Sequence, residues 1–474
     1  MAGGIFGRRK GLGDWRRYSD QRALRRTLTW PHLVALGVGA IVGTGIYTLI
    51  GIGAGKAGPA VIASFAIAGI VCACAALAYA ELATMMPAAG SAYTYSYVAL
   101  GEPIAWVVGW SLVLEYTVVC AAVAVGWSGY AAGFLSAWGF PLPIELAAGP
   151  HAGGIINLPA VFITMAVATL LALGTRESAL VNTILVVVKM LALALFVVLA
   201  LPAFSPDHLV PFAPHGWGST EVGGNTMGVM AAAALVFFAF YGFDAVSTAA
   251  EEAKDPARDL TIGIIGSMLI CTLVYMGVAA AAVGAMPVSE FSSSGDPLAH
   301  VLRGLGWPGA AQLIGAGAII AVPTVLLAFM YGQSRIFFAI ARDGLLPERL
   351  AHVNKRTGTP VMMTMVTAVV VSILAGLLPL GEIAELANTG TLAAFIAIGV
   401  SLIVLRRRAA DAERAFRVPF HLPVALIAIG GCIYLFVSLP EKTQLRFLVW
   451  NLIGVAVYLA YGMRKSLIAA RKEA

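Results

Sequence analysis

The sequence predicts an all-α membrane protein of twelve transmembrane helices, and three observations lead to this fold class. Of the 474 residues, 60% are hydrophobic and only 11% are charged, whereas a soluble domain carries about 25% charged residues. Apolar windows long enough to cross a bilayer recur along the chain. Lysine and arginine concentrate on one side of those windows. We therefore expect the net charge of +6 to reflect membrane topology and not a nucleic-acid partner.

Crossing the hydrocarbon takes about 20 apolar residues in a helix. The sequence contains twelve such windows, predicted as helices 1 to 12, at residues 32–56, 59–86, 103–136, 157–175, 178–202, 226–251, 261–286, 309–341, 359–379, 383–405, 419–439 and 446–463. Stretches rich in Pro and Gly, such as 139–154 and 202–218, separate several of them and are typical of loops. The first 30 residues are basic and polar, so we expect no cleavable signal peptide.

The basic residues test this count. With the N-terminus inside, 25 of the 30 Lys and Arg residues fall on the cytoplasmic side, four fall on the outer side, and Lys189 lies in the middle of a window. Cytoplasmic loops carry such an excess of positive charge. We therefore expect a multi-pass protein of the plasma membrane, the inner membrane in a bacterium, with both termini in the cytoplasm.

Helices 1 and 6 are unusual because each is apolar but interrupted. Glycines interrupt helix 1, and a cluster of aromatic residues and glycine interrupts helix 6. The two helices lie five apart in the chain. Breaks at corresponding positions of two halves indicate a transporter built from inverted repeats.

The first interruption lies in residues 37–46, GVGAIVGTGI, where four glycines among ten residues weaken a helix. Inside a bilayer an unwound backbone survives only where it lines a cavity or packs against protein. If the helix breaks between Ile41 and Gly45, its second half presents free N–H groups and a positive dipole end to a carboxylate. Close packing of helices through small residues is the alternative interpretation.

The second interruption lies in residues 237–247, FFAFYGFDAVS, with the break expected between Phe238 and Gly242. Carbonyl groups freed at the end of the first half-helix would bind an ammonium group. A zwitterionic α-amino acid needs both charged ends satisfied, and two facing broken helices satisfy them together. An aromatic-rich packed helix is the alternative, but the joint occurrence of two breaks favours a binding site.

Charged side chains inside a membrane usually face a substrate or proton path. Glu115 and Lys189 are of this kind, and Lys189 lies about 15 Å of helical rise from either end of its span. Lys189 is therefore a candidate for proton coupling. For both residues the alternative is a static structural pair or a polar contact between helices. Asp244 is either a polar group of the second break or a helix N-cap. Met330 in helix 8 is either a pocket residue or ordinary packing.

No motif for cofactor or metal chemistry occurs in the sequence. The glycine run at 37–45 is not a dinucleotide fingerprint, because no strand precedes it. The five cysteines lie in apolar runs and the seven histidines are dispersed. We therefore expect no enzymatic activity, no cofactor and no metal site.

Five stretches, taken together and in order, resemble one family: GVGAIVGTGI, YAELATMMPAAGSAYTYSY, WSLVLEY, FFAFYGFDAVSTAAEE and QSRIFFAIARDGLLP. From about residue 25 to 465 the chain resembles the amino acid–polyamine–organocation superfamily, and within it the bacterial twelve-helix branch of the cationic amino acid transporter family. The resemblance implies a five-plus-five inverted repeat, like that of the sodium-coupled leucine transporters, with helices 1 and 6 discontinuous and two extra C-terminal helices. The implied segments are a basic cytoplasmic N-terminal segment, the two repeats, helices 11–12 and a cytoplasmic tail, at residues 1–30, 31–205, 223–408, 418–464 and 465–474.

The resemblance also implies a site for an α-amino acid on the backbone of the two broken helices. The carboxylate would meet the N–H groups of Gly43, Thr44 and Gly45. The amine would meet the carbonyl groups of Ile41, Phe238, Ala239 and Tyr241. Lys189 matches the family lysine that lies where sodium binds in the sodium-coupled relatives, which implies proton coupling, and Glu115 matches the pocket-side glutamate. Met330 is added as a candidate pocket residue.

The leading hypothesis is import of α-amino acids by proton symport with alternating access. An exchanger of amino acids or amines is the alternative, and a channel or a nutrient receptor is a third class, although few polar residues occupy the spans. Expected partners are the amino acid, protons and the lipid bilayer, with no nucleic acid. A small accessory membrane subunit is compatible with the sequence. Bacterial twelve-helix members often take neutral amino acids, so the resemblance leaves the charge of the substrate open.

Overall fold

The computed structural model describes residues 8–9, 28–86, 90–173, 179–248, 253–347, 350 and 361–466. Helices occupy all twelve predicted windows, and we number them helix 1 to helix 12 after those windows. Among the described residues, seven helical stretches are long and apolar enough to cross a membrane, and five apolar helices of 10–17 residues are shorter. The count of twelve crossings and the inverted repeat stay predictions. Most of the predicted N-terminal segment and C-terminal tail lies outside the described residues.

Four of the numbered helices are composite. Helix 1 consists of Trp30–Ile41, Thr44–Tyr47 and Leu49–Ala57, and helix 6 of Val229–Val236, a 3-10 turn at Phe237–Phe240, and Phe243–Thr248. Helix 8 consists of Pro308–Ala321 and Pro323–Arg342, and helix 12 of Glu441–Val457, a π turn at Tyr458–Gly462, and Met463–Lys465. Helices 2–5, 7 and 9–11 are Val61–Met85, Glu102–Ala137, Leu158–Ala172, Ala179–Ala200, Pro256–Ala285, Val361–Leu377, Leu380–Arg408 and His421–Val437. Short helices and 3-10 turns lie at Gly58–Ala60, Ser91–Ala99, Ile144–Ala147, Pro150–Ala152, Leu201–Ala203, Pro206–Leu209, Val288–Phe291 and Pro297–Gly304.

A two-stranded antiparallel hairpin precedes helix 6, pairing Thr220–Val222 with Asn225–Met227. The all-α prediction did not contain it, because strands this short carry too little alternation to be read from sequence. The carbonyl of Thr226 in this hairpin accepts a hydrogen bond of 3.0 Å from Lys56 at the end of helix 1. The same ammonium group forms an ion pair of 3.0 Å with Glu385 near the start of helix 10. One lysine thus joins helix 1, helix 10 and the chain that enters helix 6.

The contacts bring helices 1, 2, 3, 6, 7, 8 and 10 together. Helix 3 packs along helices 8 and 10, and helix 7 packs along helices 1 and 2. Helices 3 and 10 are largely buried, whereas helix 12 exposes apolar side chains such as Leu448 and Leu452. An exposed apolar face is expected where lipid replaces water around a helix.

A buried carboxylate ties helix 2 to the far end of helix 10. Glu81 is fully buried and pairs with Arg406 at 2.7 Å and Arg414 at 3.0 Å. It also accepts the backbone N–H of Val418 at 2.8 Å. Because removal of one member of a buried ion pair leaves an uncompensated charge, loss of Glu81 would destabilise the predicted cytoplasmic end of the helix bundle.

Candidate functional site

The two interrupted helices expected from the sequence are present, and the interrupted segments touch each other. A Cβ added to Gly45 would overlap the backbone and the Cβ of Ala239. A Cβ added to Gly242 would lie 2.6 Å from the carbonyl carbon of Ala40. Backbone contact between the two segments therefore depends on the missing side chain of glycine at both points.

The restart of helix 1 leaves amide groups without acceptors. Within the described residues, the N–H groups of Gly43, Thr44 and Gly45 donate to no carbonyl or side chain. They belong to the first turn of the restarted helix, where no intrahelical acceptor exists. Such a group of amides can hold an anion.

A small cavity lies between the two breaks. Its volume is about 10 Å³, which is room for about one water molecule. It is lined by Ala40, Ile41, Gly43, Thr44, Gly45, Val119, Val123, Phe238, Tyr241, Val325 and Phe329. No charged side chain is among these lining residues. The structure is closed around this site, and an amino acid fits only after the walls move apart.

Two of the predicted carbonyl acceptors already have partners. The hydroxyl of Tyr275 in helix 7 donates to the carbonyl of Ile41 at 2.9 Å. The N–H of Tyr241 donates to the carbonyl of Phe238 at 3.4 Å. In the described part of the chain, no amide donates to the carbonyl of Ala239. Because a carbonyl oxygen has two lone pairs, these groups retain the capacity to accept from an ammonium group.

Lys189 is almost completely buried, with 1% of its surface exposed. Its Nζ donates to the carbonyl of Gly39 at 2.9 Å and to Oγ1 of Thr324 at 3.1 Å. Gly39 lies about one turn before the break in helix 1, and Thr324 follows the interruption of helix 8. The ammonium group therefore joins helices 1, 5 and 8. Loss of its proton would remove the charge-assisted part of both hydrogen bonds.

Three predicted substrate-binding residues, Ala239, Glu115 and Met330, do not line the cavity. Ala239 lies against Gly45 at the contact between the two breaks. Glu115 is buried against helix 10, where a Cβ added to Gly390 would lie 3.0 Å from the Cβ of Glu115. In the part of the chain that the structure describes, Oε2 of this glutamate has no hydrogen-bond partner. Met330 is buried beside Phe329, which does line the cavity. Successive residues of a helix point about 100° apart, so these two neighbours face different partners.

Asp244 lies within the first turn of the restarted part of helix 6 and is not its N-cap. Its carboxylate accepts a hydrogen bond of 3.1 Å from the hydroxyl of Tyr116 in helix 3. This buried contact fastens the restarted segment of helix 6 to helix 3.

Sequence reasoning missed five apolar residues of the cavity wall: Ala40 before the break in helix 1, and four residues of helices 3 and 8. Val119 and Val123 of helix 3, and Val325 and Phe329 of helix 8, are each four residues apart and share one helical face. Val119 lies one turn after Glu115, so the buried charge marked the correct face of helix 3. The pair on helix 8 carries no such signal, because faces that contact lipid and faces that contact protein are both apolar.

Comparisons with known proteins match this chain to amino acid permeases and related transporters. The family model described as amino acid permease matches residues 28–461. The branched-chain amino acid permease BcaP of Bacillus subtilis (strain 168) is 44% identical over 98% of this chain and 99% of the relative. The methylthioribose transporter of the same organism is 40% identical over 97% of this chain and 98% of the relative. The vacuolar cationic amino acid transporter 2 of Arabidopsis thaliana is 38% identical over 84% of this chain and 62% of the relative.

The family match includes both interrupted helices and all the residues of the cavity wall. The relatives are permeases and transporters by name. Apolar helices long enough to cross a membrane account for much of the described chain. The chain therefore belongs to the amino acid permease family of the amino acid–polyamine–organocation superfamily, and it is a multi-pass membrane transporter and not an enzyme.

Proposed function

We propose that this chain imports α-amino acids across the plasma membrane by proton symport, through alternating access to the site between helices 1 and 6. The observation that carries the proposal is the contact between the two interrupted segments beside three amide groups without acceptors. Relatives named as amino acid permease and amino acid transporter support it. One relative is named for methylthioribose, so the substrate has to be tested directly.

In this proposal the backbone binds both ends of the substrate. The carboxylate binds the orphan amide groups of the restarted helix 1, which are those of Gly43, Thr44 and Gly45. The ammonium group binds carbonyl groups freed at the two breaks, which are those of Ile41, Phe238, Ala239 and Tyr241. Because the closed cavity holds only about one water molecule, binding accompanies opening of the site toward one side of the membrane.

The cavity wall favours a substrate with an uncharged aliphatic side chain. Val119 and Val123 face the space from helix 3, and Val325 and Phe329 face it from helix 8. A charged substrate side chain would lose its hydration there without gaining a partner. Glu115 and Met330 would contact a longer side chain only after the site widens.

Proton coupling is assigned to Lys189. When protonated, its ammonium group holds helix 1 at Gly39 and helix 8 at Thr324. Deprotonation weakens both hydrogen bonds, which allows helix 1 to move away from helices 5 and 8. Proton release and the movement of helix 1 are then linked, as coupled transport requires.

The test is uptake by purified protein in liposomes with an inward proton gradient and no internal substrate. The panel contains neutral, cationic and acidic amino acids together with methylthioribose. We expect uptake of neutral aliphatic amino acids such as leucine, and we expect a protonophore to abolish it. If no amino acid enters under this gradient, the proposal is wrong. If uptake needs internal amino acid and ignores the gradient, the protein is an exchanger.

The variant Lys189→Ala separates coupling from binding. We expect proton-driven uptake to fall about tenfold or more, the factor that corresponds to about 1.4 kcal/mol of lost coupling, while exchange of internal for external leucine persists. Lys442→Ala is the matched control, because Lys442 is an exposed lysine in the first turn of Glu441–Val457. Equal loss of uptake and exchange in Lys189→Ala would make this lysine a structural residue.

A further inference from the structure

A buried asparagine of helix 10 reaches the interrupted part of helix 6. Asn388 is completely buried. Its Nδ2 donates to the carbonyl of Ala234 at 2.5 Å and to the carbonyl of Leu235 at 3.1 Å. Its Oδ1 accepts a hydrogen bond from the hydroxyl of Tyr241. All three of these side-chain hydrogen bonds are therefore made with helix 6.

The contacts of Asn388 satisfy carbonyl groups at the point where the helix changes form. Helix 6 is α-helical to Val236 and continues as a 3-10 turn, so the regular pattern of N–H donors to the carbonyl groups ends in its last α turn. The carbonyl of Leu235 accepts the N–H of Phe237 as well as Nδ2 of Asn388. A carbonyl left unpaired in a bilayer costs several kcal/mol. Among the described residues, no other side chain donates to a carbonyl between Ala234 and Tyr241.

Asn388 also orients a residue of the cavity wall. Tyr241 lines the cavity between the two breaks, and its hydroxyl is held by Oδ1 of Asn388. One buried amide thus fixes both the end of the first half of helix 6 and a side chain beside the substrate site. An asparagine that only joined two packed helices would not need to contact both the end of a half-helix and a side chain of the cavity wall.

A side chain of helix 5 donates a hydrogen bond to helix 1 just before its break, as Asn388 of helix 10 does to helix 6. Lys189 of helix 5 donates to the carbonyl of Gly39, three residues before the break at Val42. Asn388 of helix 10 donates to the carbonyl of Ala234, three residues before the 3-10 turn begins at Phe237. In the predicted repeat, helices 5 and 10 correspond, as do helices 1 and 6. The two donors differ in one respect: a lysine can lose a proton, whereas an amide cannot change its charge.

We propose that Asn388 is a positioning residue that holds the break in helix 6 in one shape, as the uncharged counterpart of Lys189. Its role in transport rests on the proposed function, because the break it holds is the proposed binding site. The hold of Lys189 on helix 1 then responds to the proton, whereas the hold of Asn388 on the first half of helix 6 does not depend on pH. The restarted half of helix 6 has a titratable contact of its own, from Asp244 to Tyr116. The asymmetry follows from the chemistry of the two donors.

The first experiment measures hydrogen exchange of the purified protein without substrate. In Asn388→Ala and Asn388→Asp, we expect amides of residues 235–248 to exchange about tenfold or more faster than in the unaltered protein, since two buried carbonyls lose a side-chain donor and Tyr241 loses its hydroxyl acceptor. Amides of helix 1 should be unaffected. Asn451→Ala is the matched control, because Asn451 donates to Phe447 of its own helix at 3.0 Å, away from both breaks. Unchanged exchange in residues 235–248, or an equal increase in all helices, would overturn the proposal.

The second experiment measures leucine uptake in liposomes. We expect Asn388→Ala, and to a smaller degree Tyr241→Phe, to raise the half-saturation constant while the pH profile of uptake stays that of the unaltered protein, because neither change adds an ionisable carboxyl group or amine. Lys189→Ala should instead change the pH profile. A changed pH profile in Asn388→Ala, or an unchanged half-saturation constant, would refute the positioning role. If the unaltered protein carries no amino acid, the proposed function fails, and hydrogen exchange still decides the role of Asn388.

Discussion

Replacing Gly242 by alanine tests the contact between the two interrupted helices. Gly242 has a φ of +112°, a conformation that residues with a side chain rarely adopt. The new methyl group would lie 2.6 Å from the carbonyl carbon of Ala40 and 2.8 Å from its Cβ. Neither atom belongs to a flexible side chain, so helices 1 and 6 must separate before the methyl group fits.

Two energetic costs act at Gly242. Backbone strain at positive φ costs about 1–3 kcal/mol, and forcing a methyl group into a packed interior costs about 1–3 kcal/mol more. Gly139→Ala is the matched control, because Gly139 has a φ of +85° and an added Cβ there meets no atom within 4 Å. Gly242→Ala should therefore lower the free energy of unfolding by about 1–3 kcal/mol more than Gly139→Ala does.

Chemical denaturation in detergent micelles measures the stability of both variants, and leucine uptake in liposomes measures their function. We expect Gly242→Ala to lose most of its uptake under conditions where it remains folded, because separation of the breaks distorts the binding site. Gly139→Ala should transport normally. The reasoning is refuted if both variants lose the same stability and Gly242→Ala transports at the rate of the unaltered protein.

Two further variants test other parts of the structure. Glu81→Gln should lower the free energy of unfolding by about 3–5 kcal/mol, because it leaves two arginines without their buried partner. Glu382→Gln is its control, since the ion pair of Glu382 with Arg446 is partly exposed. This pair should contribute at most about 1 kcal/mol to the free energy of unfolding. Equal losses of unfolding free energy in the two variants, measured by chemical denaturation, would contradict the reasoning. Val119→Ala should widen the cavity and shift the preference from small toward large aliphatic amino acids by about tenfold or more. Competition uptake measures that preference, and an unchanged ranking would exclude Val119 from the substrate wall.

Helix positions followed closely from the sequence. Helix 4 was expected at 157–175 and spans Leu158–Ala172, and helix 9 was expected at 359–379 and spans Val361–Leu377. The agreement has a physical reason: in hydrocarbon every backbone polar group must be satisfied inside the segment, so a long apolar run has almost one solution. The interruptions were also readable, because glycine lowers helix stability wherever it occurs.

The walls of the site could not be read in the same way. For Met330 the sequence leaves open a pocket position and ordinary packing, and the structure has its neighbour Phe329 in the cavity wall. In a soluble protein the apolar face of a helix marks its buried side. In a membrane both lipid and protein are apolar, so hydrophobic periodicity does not distinguish them. The sequence therefore does not show which of two neighbouring apolar residues of a helix faces the cavity.

By itself, the sequence determined the helical segments, the two interruptions and the presence of a buried lysine in helix 5. These depend on the preferences of residues a few positions apart and on the length of apolar runs. Only the tertiary structure decided that Lys189 contacts Gly39 and Thr324, which lie 150 and 135 positions away, and that Asn388 holds helix 6. Such partners come from distant parts of the chain, and packing selects them among many polar groups that are locally equivalent.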